Sequence, residues 1–391
     1  MSKLKQVFQS QFHKEPTLSA FAPGRINLIG EHTDYNGGYV FPAAIELGTY
    51  GVARLREDRQ INLYSLNFEK TGVISFSLDN LDYNADHQWA NYPKGMIRYL
   101  VEQYPEINTG FDIAIEGNIP NGASLSSSAS IELLTGHIVT ELFHIDIDRL
   151  ELVKLGQRVE NQFIGVNSGI MDQFIVGFGK KDHAILLDTN TLDYHYVPTE
   201  FGEYKISIMN TNKRRELAES KYNERRSECE AALALLQKRL NVQTLGEISV
   251  EAFEANQDII EDDVLLRRAK HAITENARTK EAYDALQKHD FETFGQLLNA
   301  SHQSLKEDYE VTGIELDTLA ESAQAVEGVL GARMTGAGFA GCAIALVHQD
   351  KIKDLEKQVT EKYVDTVGYA PSFYHVDIAD GVRTITELKG V

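Results

Sequence analysis

Cysteine is nearly missing from this chain: Cys229 and Cys342 are the only two among 391 residues. Two thiols exclude a disulfide framework and a cysteine-built zinc site. Long apolar runs are missing as well, so no stretch reads as a membrane span. The opening MSKLKQVFQSQFHKEP has no apolar core and no small-residue cleavage pattern, which predicts a cytosolic protein. Positive charge is in deficit, with 38 Lys and Arg against 58 Asp and Glu and a formal charge of −20. Such a surface repels nucleic acid and anionic membranes, and neither is expected as a partner. The deficit does not oppose binding of a small anion in a local pocket. Asn299-Ala300-Ser301 matches a glycosylation sequon, but without a secretion signal it reads as chance.

What the chain does contain is ordinary globular material, 42% hydrophobic and 25% charged, at a length where a single core usually splits in two. Strand-like runs cover Leu18 to Ala22, Tyr39 to Ile45, Thr49 to Leu55, Gln60 to Ser65 and Phe111 to Glu116. Helical spacing marks Trp89 to Tyr104, then Ile131, Leu134, Ile138 and Leu142, then Leu152, Leu155, Val159 and Phe163. Ala184 to Asp188 and Leu192 to Val197 read as a hairpin. Beyond residue 200 a strand at Tyr204 to Met209 precedes a long helix with Ala218, Tyr222, Cys229, Leu233, Leu236 and Leu240 on one face. A last helical stripe, Leu316, Leu319, Ala323, Val326 and Leu330, leads into a glycine loop and the strand Cys342 to Val347. Strand-rich then helix-rich segments predict an α+β protein, divided into 1–200 and 201–391.

Three glycine-rich loops carry the chemistry. In GRINLIGEHTDYNGG, residues 24–38, Arg25, Glu31, His32 and Asp34 crowd around a turn. The spacing matches neither HExxH nor an EF-hand, which argues against a metal site. Short carboxylates are strong acceptors for the hydroxyls of a polar ligand such as a sugar. Asn36-Gly37-Gly38 reads as a tight hairpin turn, and a hairpin with solvated charges explains the segment equally simply. The second loop, Pro120-Asn121-Gly122-Ala123-Ser124-Leu125-Ser126-Ser127-Ser128-Ala129, lies between a strand and the Ile131 helix. Unpaired N–H groups at that helix start, with small residues and hydroxyls, make an anion cradle. It is not a Walker A loop, since no lysine follows the glycines, and a serine N-cap is the bland alternative. The third, Met334-Thr335-Gly336-Ala337-Gly338-Phe339-Ala340-Gly341, matches GxGxxG, but in the order helix, loop, strand rather than strand, loop, helix, so a dinucleotide site is not expected.

Taken in order, the three loops resemble the signature motifs of the galactokinase, homoserine kinase, mevalonate kinase and phosphomevalonate kinase superfamily. GRINLIGEHTDYNGGYVFPAAI resembles the galactokinase signature in particular, and SHQSLKEDYEV, from Ser301 to Val311, is similar to a galactokinase segment. The resemblance spans residue 22 to the last strands. It implies a two-domain kinase fold, with a mixed-sheet N-terminal domain, a ferredoxin-like α+β C-terminal domain and an active site in the cleft between them. It implies ATP- and Mg2+-dependent phosphorylation of the C1 hydroxyl of α-D-galactose, with no obligate protein partner. By the same resemblance, Asp172 and Arg25 are catalytic, and Glu31, His32, Thr33, Asp34, Gly169 and Tyr222 bind the sugar. Ser65, Gly122, Ala123, Ser124, Leu125, Ser126, Ser127 and Ser128 contact ATP, with Ser128 and Glu160 as magnesium ligands. Without the resemblance, Arg25 and Asp172 read as a structural ion pair, Glu160 as a solvated charge and Tyr222 as core packing. One departure stands out: Ser124 occupies a position where the family usually has glycine, putting a side chain close to the phosphates. Two other activities compete, an N-acetylgalactosamine kinase and a non-catalytic sensor of galactose and ATP. The intact serines 126–128 disfavour the sensor, whose serine loop is damaged in the family.

Overall fold

The computed structural model describes residues 3–120, 122–213 and 218–386. Asn121 of the serine-rich loop lies outside them.

Alternation builds the first sheet. Along the strand Phe111–Gly117, Ile113 and Ile115 enter the main core, while Ala114 turns to the other face and packs with Leu4 and Phe8 of the helix Lys3–Phe12. Successive strand side chains point to opposite faces, so one strand serves two layers. The six-stranded sheet runs Arg383–Thr384, Leu18–Asn27, Pro42–Leu55, Phe111–Gly117, Gln60–Ser65, Ile74–Ser77 from edge to edge. It is mixed, because Gln60–Ser65 runs parallel to Phe111–Gly117 while the other pairs are antiparallel. Helices Asn91–Gln103, Ser127–Leu142, Arg149–Arg158 and Met171–Phe178 supply most of the remainder of the main core, with Ile185 and Leu187 added from the strand His183–Asp188.

A second, antiparallel sheet is ordered Val329–Thr335, Cys342–His348, Tyr204–Asn210, Ser372–Tyr374. Its strand Cys342–His348 is buried on both faces, which is why it reads as one apolar run. Ala343, Ala345 and Val347 pack with Leu316, Leu319, Leu355 and Val359 from two helices. Cys342, Ile344 and Leu346 instead share a core with Ile26, Leu28, Phe41 and Ile45 from the first half. The two halves are therefore joined by apolar packing, and the last strand, Arg383–Thr384, returns to the first sheet. Among the described residues no helix is long and apolar enough to cross a membrane.

Four details differ from the sequence pattern. The run Tyr39 to Ile45 is not one strand: Tyr39–Val40 pairs with His183–Asp188 in a small three-stranded sheet, and Pro42–Leu55 belongs to the large one. Phe41 lies between them, its N–H given to Ile29 O (3.1 Å). The Asn36-Gly37-Gly38 turn is not a two-residue hairpin but the end of a short 3-10 turn, Asp34–Asn36, closed by Gly37 at φ 68°. The helical stripe ending at Leu330 runs too far. The helix Gly313–Gln324 stops, Gly328 turns the chain at φ 89°, and Leu330 lies in the strand Val329–Thr335. The GxGxxG loop therefore does come after a strand. It leads into the antiparallel strand Cys342–His348 rather than a helix, so no helix N-terminus is offered to a dinucleotide. Finally, the Leu152 helix passes into a π-helical turn, Val159–Ile164, which contains Glu160.

A chain of buried charges crosses the junction of the halves. Arg333, fully buried, donates from Nη2 to Glu31 Oε2 (2.8 Å), from Nη1 to Asn27 O (2.9 Å) and Leu28 O (3.2 Å), and from Nε to Ser301 Oγ (3.1 Å). Ser301 donates to Glu275 Oε1 (2.6 Å), which also accepts the N–H groups of Gly30 and Glu31, and Glu275 is paired with Arg278 at 2.9 Å. Burial raises the Glu275 carboxyl, but Arg278, His271 and Arg333 together outweigh it and hold the pKa at about 2. Removing one member of a buried pair leaves its partner charged and unpaired. Arg333→Met is expected to cost about 3–5 kcal/mol, read from the midpoint and slope of a urea unfolding curve.

Candidate active site

The first strand, Leu18–Asn27, delivers Arg25 to the junction. Its pairing with Pro42–Leu55 shifts register between Pro23 and Gly24, one residue before Arg25. Such bulges re-aim the side chains beside them. Gly24 is needed there, since a Cβ would lie 2.7 Å from Leu125 O, and Arg25 N–H donates to that same carbonyl at 3.1 Å.

Arg25 is buried and forks onto Asp172, Nε to Oδ1 at 2.9 Å and Nη2 to Oδ2 at 3.0 Å. Its remaining arm, Nη1, donates to Ser124 O at 2.7 Å. Asp172 sits in the first turn of Met171–Phe178, where the macrodipole favours a carboxylate. Its Oδ2 also accepts from Ser126 Oγ. One guanidinium thus binds the first strand, the serine loop and the Asp172 helix together.

These groups line a cavity of about 400 Å³. Glu31, His32, Asp34, Gly169 and Tyr222 form one part of its wall, and Gly122, Ala123, Ser124, Ser126, Ser127, Ser128 and Glu160 another. Asp34 accepts from Met171 N–H (3.3 Å) and Tyr35 N–H (3.0 Å). Burial, and then the charge of Asp172, push its pKa up to about 6. Gly169 cannot carry a side chain, since a Cβ would lie 2.0 Å from Asp34 Oδ2. Tyr222 comes from the helix Ala218–Leu236, beside Asn223, which accepts Asn167 N–H at 3.0 Å and so ties that helix to the loop before Asp172. Burial, then Asp34, push the Tyr222 phenol well above its usual value. Burial pushes the Glu31 carboxyl up, with Arg333 and Arg25 opposing.

Three residues named from the sequence stand elsewhere. Thr33 does not line the cavity. Its hydroxyl bridges Gly30 O (2.9 Å) and Tyr39 O (2.6 Å), closing the loop from behind. Ser65 caps the 3-10 turn Leu66–Thr71 by accepting Asn67 N–H at 3.2 Å. Leu125 is buried in the core shared by the halves. Ser124 does line the cavity, at a left-handed φ of 57° that glycine would adopt without strain. Its Oγ is buried without a hydrogen-bond partner and lies against Gly341, where a Cβ would come within 2.1 Å of it.

Sequence reasoning missed Glu132. It lies one helical turn after Ser128, fully buried, with Oε2 accepting from Gln173 Nε2 (3.2 Å) and Oε1 without a partner. Burial, then the Glu160 charge, drive its carboxyl well above the usual range. A lone glutamate in the apolar run ASIELLTG was the available signal. Ser128 and Glu160, which line the cavity, are hard oxygen donors of the kind a magnesium ion takes alongside phosphate oxygens and water, whereas Glu132 lies behind them, outside the lining. Arg333 was missed too, a charge inside the strand VLGARMT.

The electrostatics predict a specific titration. Asp34 is expected to titrate near pH 6 by carboxyl 13C NMR, and Asp172→Asn, which removes the neighbouring charge, is expected to lower that value. An unchanged Asp34 titration in that variant would contradict the coupling.

Comparison with known proteins accords with this geometry. The galactokinase galactose-binding signature matches residues 6–55, the GHMP kinases N terminal domain 91–180 and the GHMP kinases C terminal domain 282–365. The galactokinase of Staphylococcus carnosus is 70% identical over 385 residues, 98% of this chain and 99% of that protein. The galactokinase of Staphylococcus saprophyticus is 67% identical over 385 residues, covering 98% and 100%. The crystal structure of Lactococcus lactis galactokinase complexed with galactose superposes with a TM-score of 0.96 at 55% identity, over 98% of this chain and 99% of that one. The two-domain fold is that of the GHMP kinases, and the chain belongs to the galactokinase family.

Proposed function

We propose that the cavity binds α-D-galactose and MgATP and transfers the γ-phosphoryl group to the C1 hydroxyl, giving galactose 1-phosphate and ADP, the first committed step of galactose catabolism in the cytoplasm. The observation that carries this reading is the Arg25 fork, which holds Asp172 with one face and the serine loop with the other. Phosphoryl transfer is mainly positioning and charge stabilisation, and this fork supplies both.

In this reading the Asp34 carboxylate, the Gly169 backbone, Tyr222 and the Glu31–His32 segment receive the sugar hydroxyls. The burial of these groups makes each unmatched hydroxyl costly, which favours one sugar orientation. Asp172 accepts or orients the proton of the attacking hydroxyl. Arg25 holds the Asp172 carboxyl in one orientation through its two-pronged contact, and faces the charge that develops on the transferring group. The backbone of Gly122 to Ser128, at the start of Ser127–Leu142, cradles the phosphates. Ser128 and Glu160 would hold the magnesium ion, which when bound neutralises charge on the phosphate oxygens. Residues 1–200 carry most of these groups, while 201–391 contribute Tyr222 and the glycine loop that backs the serine loop.

A coupled assay with galactose and ATP tests the reading, and absence of galactose-dependent ADP release would sink it. N-acetylgalactosamine as the better substrate would reassign the sugar. Asp172→Asn is expected to lower kcat by roughly a hundredfold or more with the fold intact by circular dichroism. Near-wild-type turnover would remove Asp172 from the mechanism.

A further inference from the structure

The segment Ser301 to Val311 contains a residue with no assigned part in the reaction, Tyr309. It is fully buried on the C-terminal side of the junction, and its hydroxyl lies 2.7 Å from the Tyr35 hydroxyl and 3.1 Å from Cys229 Sγ. Tyr35 in turn lies 2.7 Å from His32 Nδ1, and His32 Nε2 lies 3.0 Å from Ala337 O in the GxGxxG loop. Four side chains thus form one unbroken line that ends on a backbone carbonyl.

The end of the line fixes the direction of every bond in it. A carbonyl only accepts, so His32 Nε2 carries the proton. Burial, and then the nearby His271, hold the His32 pKa at about 3, so the ring is neutral and Nδ1 is bare. Tyr35 therefore donates to Nδ1, Tyr309 donates to Tyr35, and the Cys229 thiol donates to Tyr309. Each hydroxyl gives one bond and receives one. His32 itself sits at φ 60°, a left-handed position that non-glycine residues occupy only when the surroundings hold them there. Its ring is packed between Tyr222 and Tyr309, with centroids 5.4 and 4.9 Å away.

We infer that Tyr35 and Tyr309 are positioning residues for the sugar subsite: their hydroxyls lock His32 as the Nε2–H tautomer, and His32 latches the loop bearing Glu31 and Asp34 to the glycine loop. Both ring nitrogens are engaged within the protein, so the latch sets where the neighbouring Glu31, Asp34 and Tyr222 stand. The kinetic consequence rests on the galactose reading above, while the tautomer does not.

Tyr35→Phe and Tyr309→Phe each remove one hydroxyl and keep the ring, so packing is preserved. With histidine 15N-labelled protein, and His32→Gln to identify the His32 signals among the 12 histidines, wild type is expected to show a pyrrole-type Nε2 and a pyridine-type, hydrogen-bonded Nδ1. Tyr35→Phe is expected to move Nδ1 toward its unbonded position. In the coupled assay, KM for galactose is expected to rise about three- to tenfold in either variant, the equivalent of one lost hydrogen bond. The kcat and the KM for MgATP are expected to stay within about twofold. A His32 spectrum identical in wild type and Tyr35→Phe would overturn the proposal. So would a loss spread equally over kcat and both KM values, which general loosening of the fold would give. If wild type itself shows no galactose-dependent turnover, the galactose reading fails, and the nitrogen spectra alone decide the latch.

Discussion

The buried pair of Arg333 and Glu31 is the contact on which the rest of the site depends. It joins a strand of the C-terminal sheet to the loop that carries Glu31, His32 and Asp34. Apolar packing between Ile26, Leu28, Ile344 and Leu346 brings the halves together, but such packing is non-directional. A guanidinium that also grips the carbonyls of Asn27 and Leu28 tolerates one orientation only. Glu275 completes the fixture by accepting the N–H groups of Gly30 and Glu31, so the loop backbone is held as well as its side chain.

From that anchor the site is assembled by backbone positions that side chains rarely favour. His32, Ser124 and Ser126 all have positive φ, and Gly30, Gly336, Gly338 and Gly341 share that region. Residues held in such conformations need surroundings that over-determine them. Here the surroundings are hydrogen bonds: Arg25 to Ser124 O, Ser126 to Asp172, and His32 to Ala337 O. The same bonds leave little freedom for rearrangement when a ligand enters, which fits a cavity whose polar groups are already aimed.

Much of this was legible in the chain. Helical spacing marked Ile131 to Leu142, which the structure places in the helix Ser127–Leu142. A continuous apolar run marked Cys342 to Val347, because a strand buried on both faces shows no alternation, and the strand-like runs Ala184 to Asp188 and Leu192 to Val197 marked the hairpin. The serine loop before a helix read as an anion cradle for the same local reason. The pattern misled where a helix stripe ran on into apolar strand residues, as at Leu330, since period alone does not mark where one element hands over to the next. Glu132 and Arg333 were passed over because a single charge in an apolar run looks like noise until its partner is known. Thr33 stood inside the first motif and Ser65 was named by resemblance alone, yet Thr33 bridges two backbone carbonyls and Ser65 caps a turn, a distinction that depends on side-chain direction.

By itself, then, the sequence determined the α+β character, the three polar glycine-rich loops and the family resemblance, all of which are local in the chain. Tertiary structure decided what those loops do to one another. The Arg25–Asp172 fork spans 147 positions and the Arg333–Glu31 pair 302. Bonds of that separation leave no periodic trace, because either partner alone is only a charge. Their meaning arises when folding removes water from between them and a polar loop becomes a site with fixed direction.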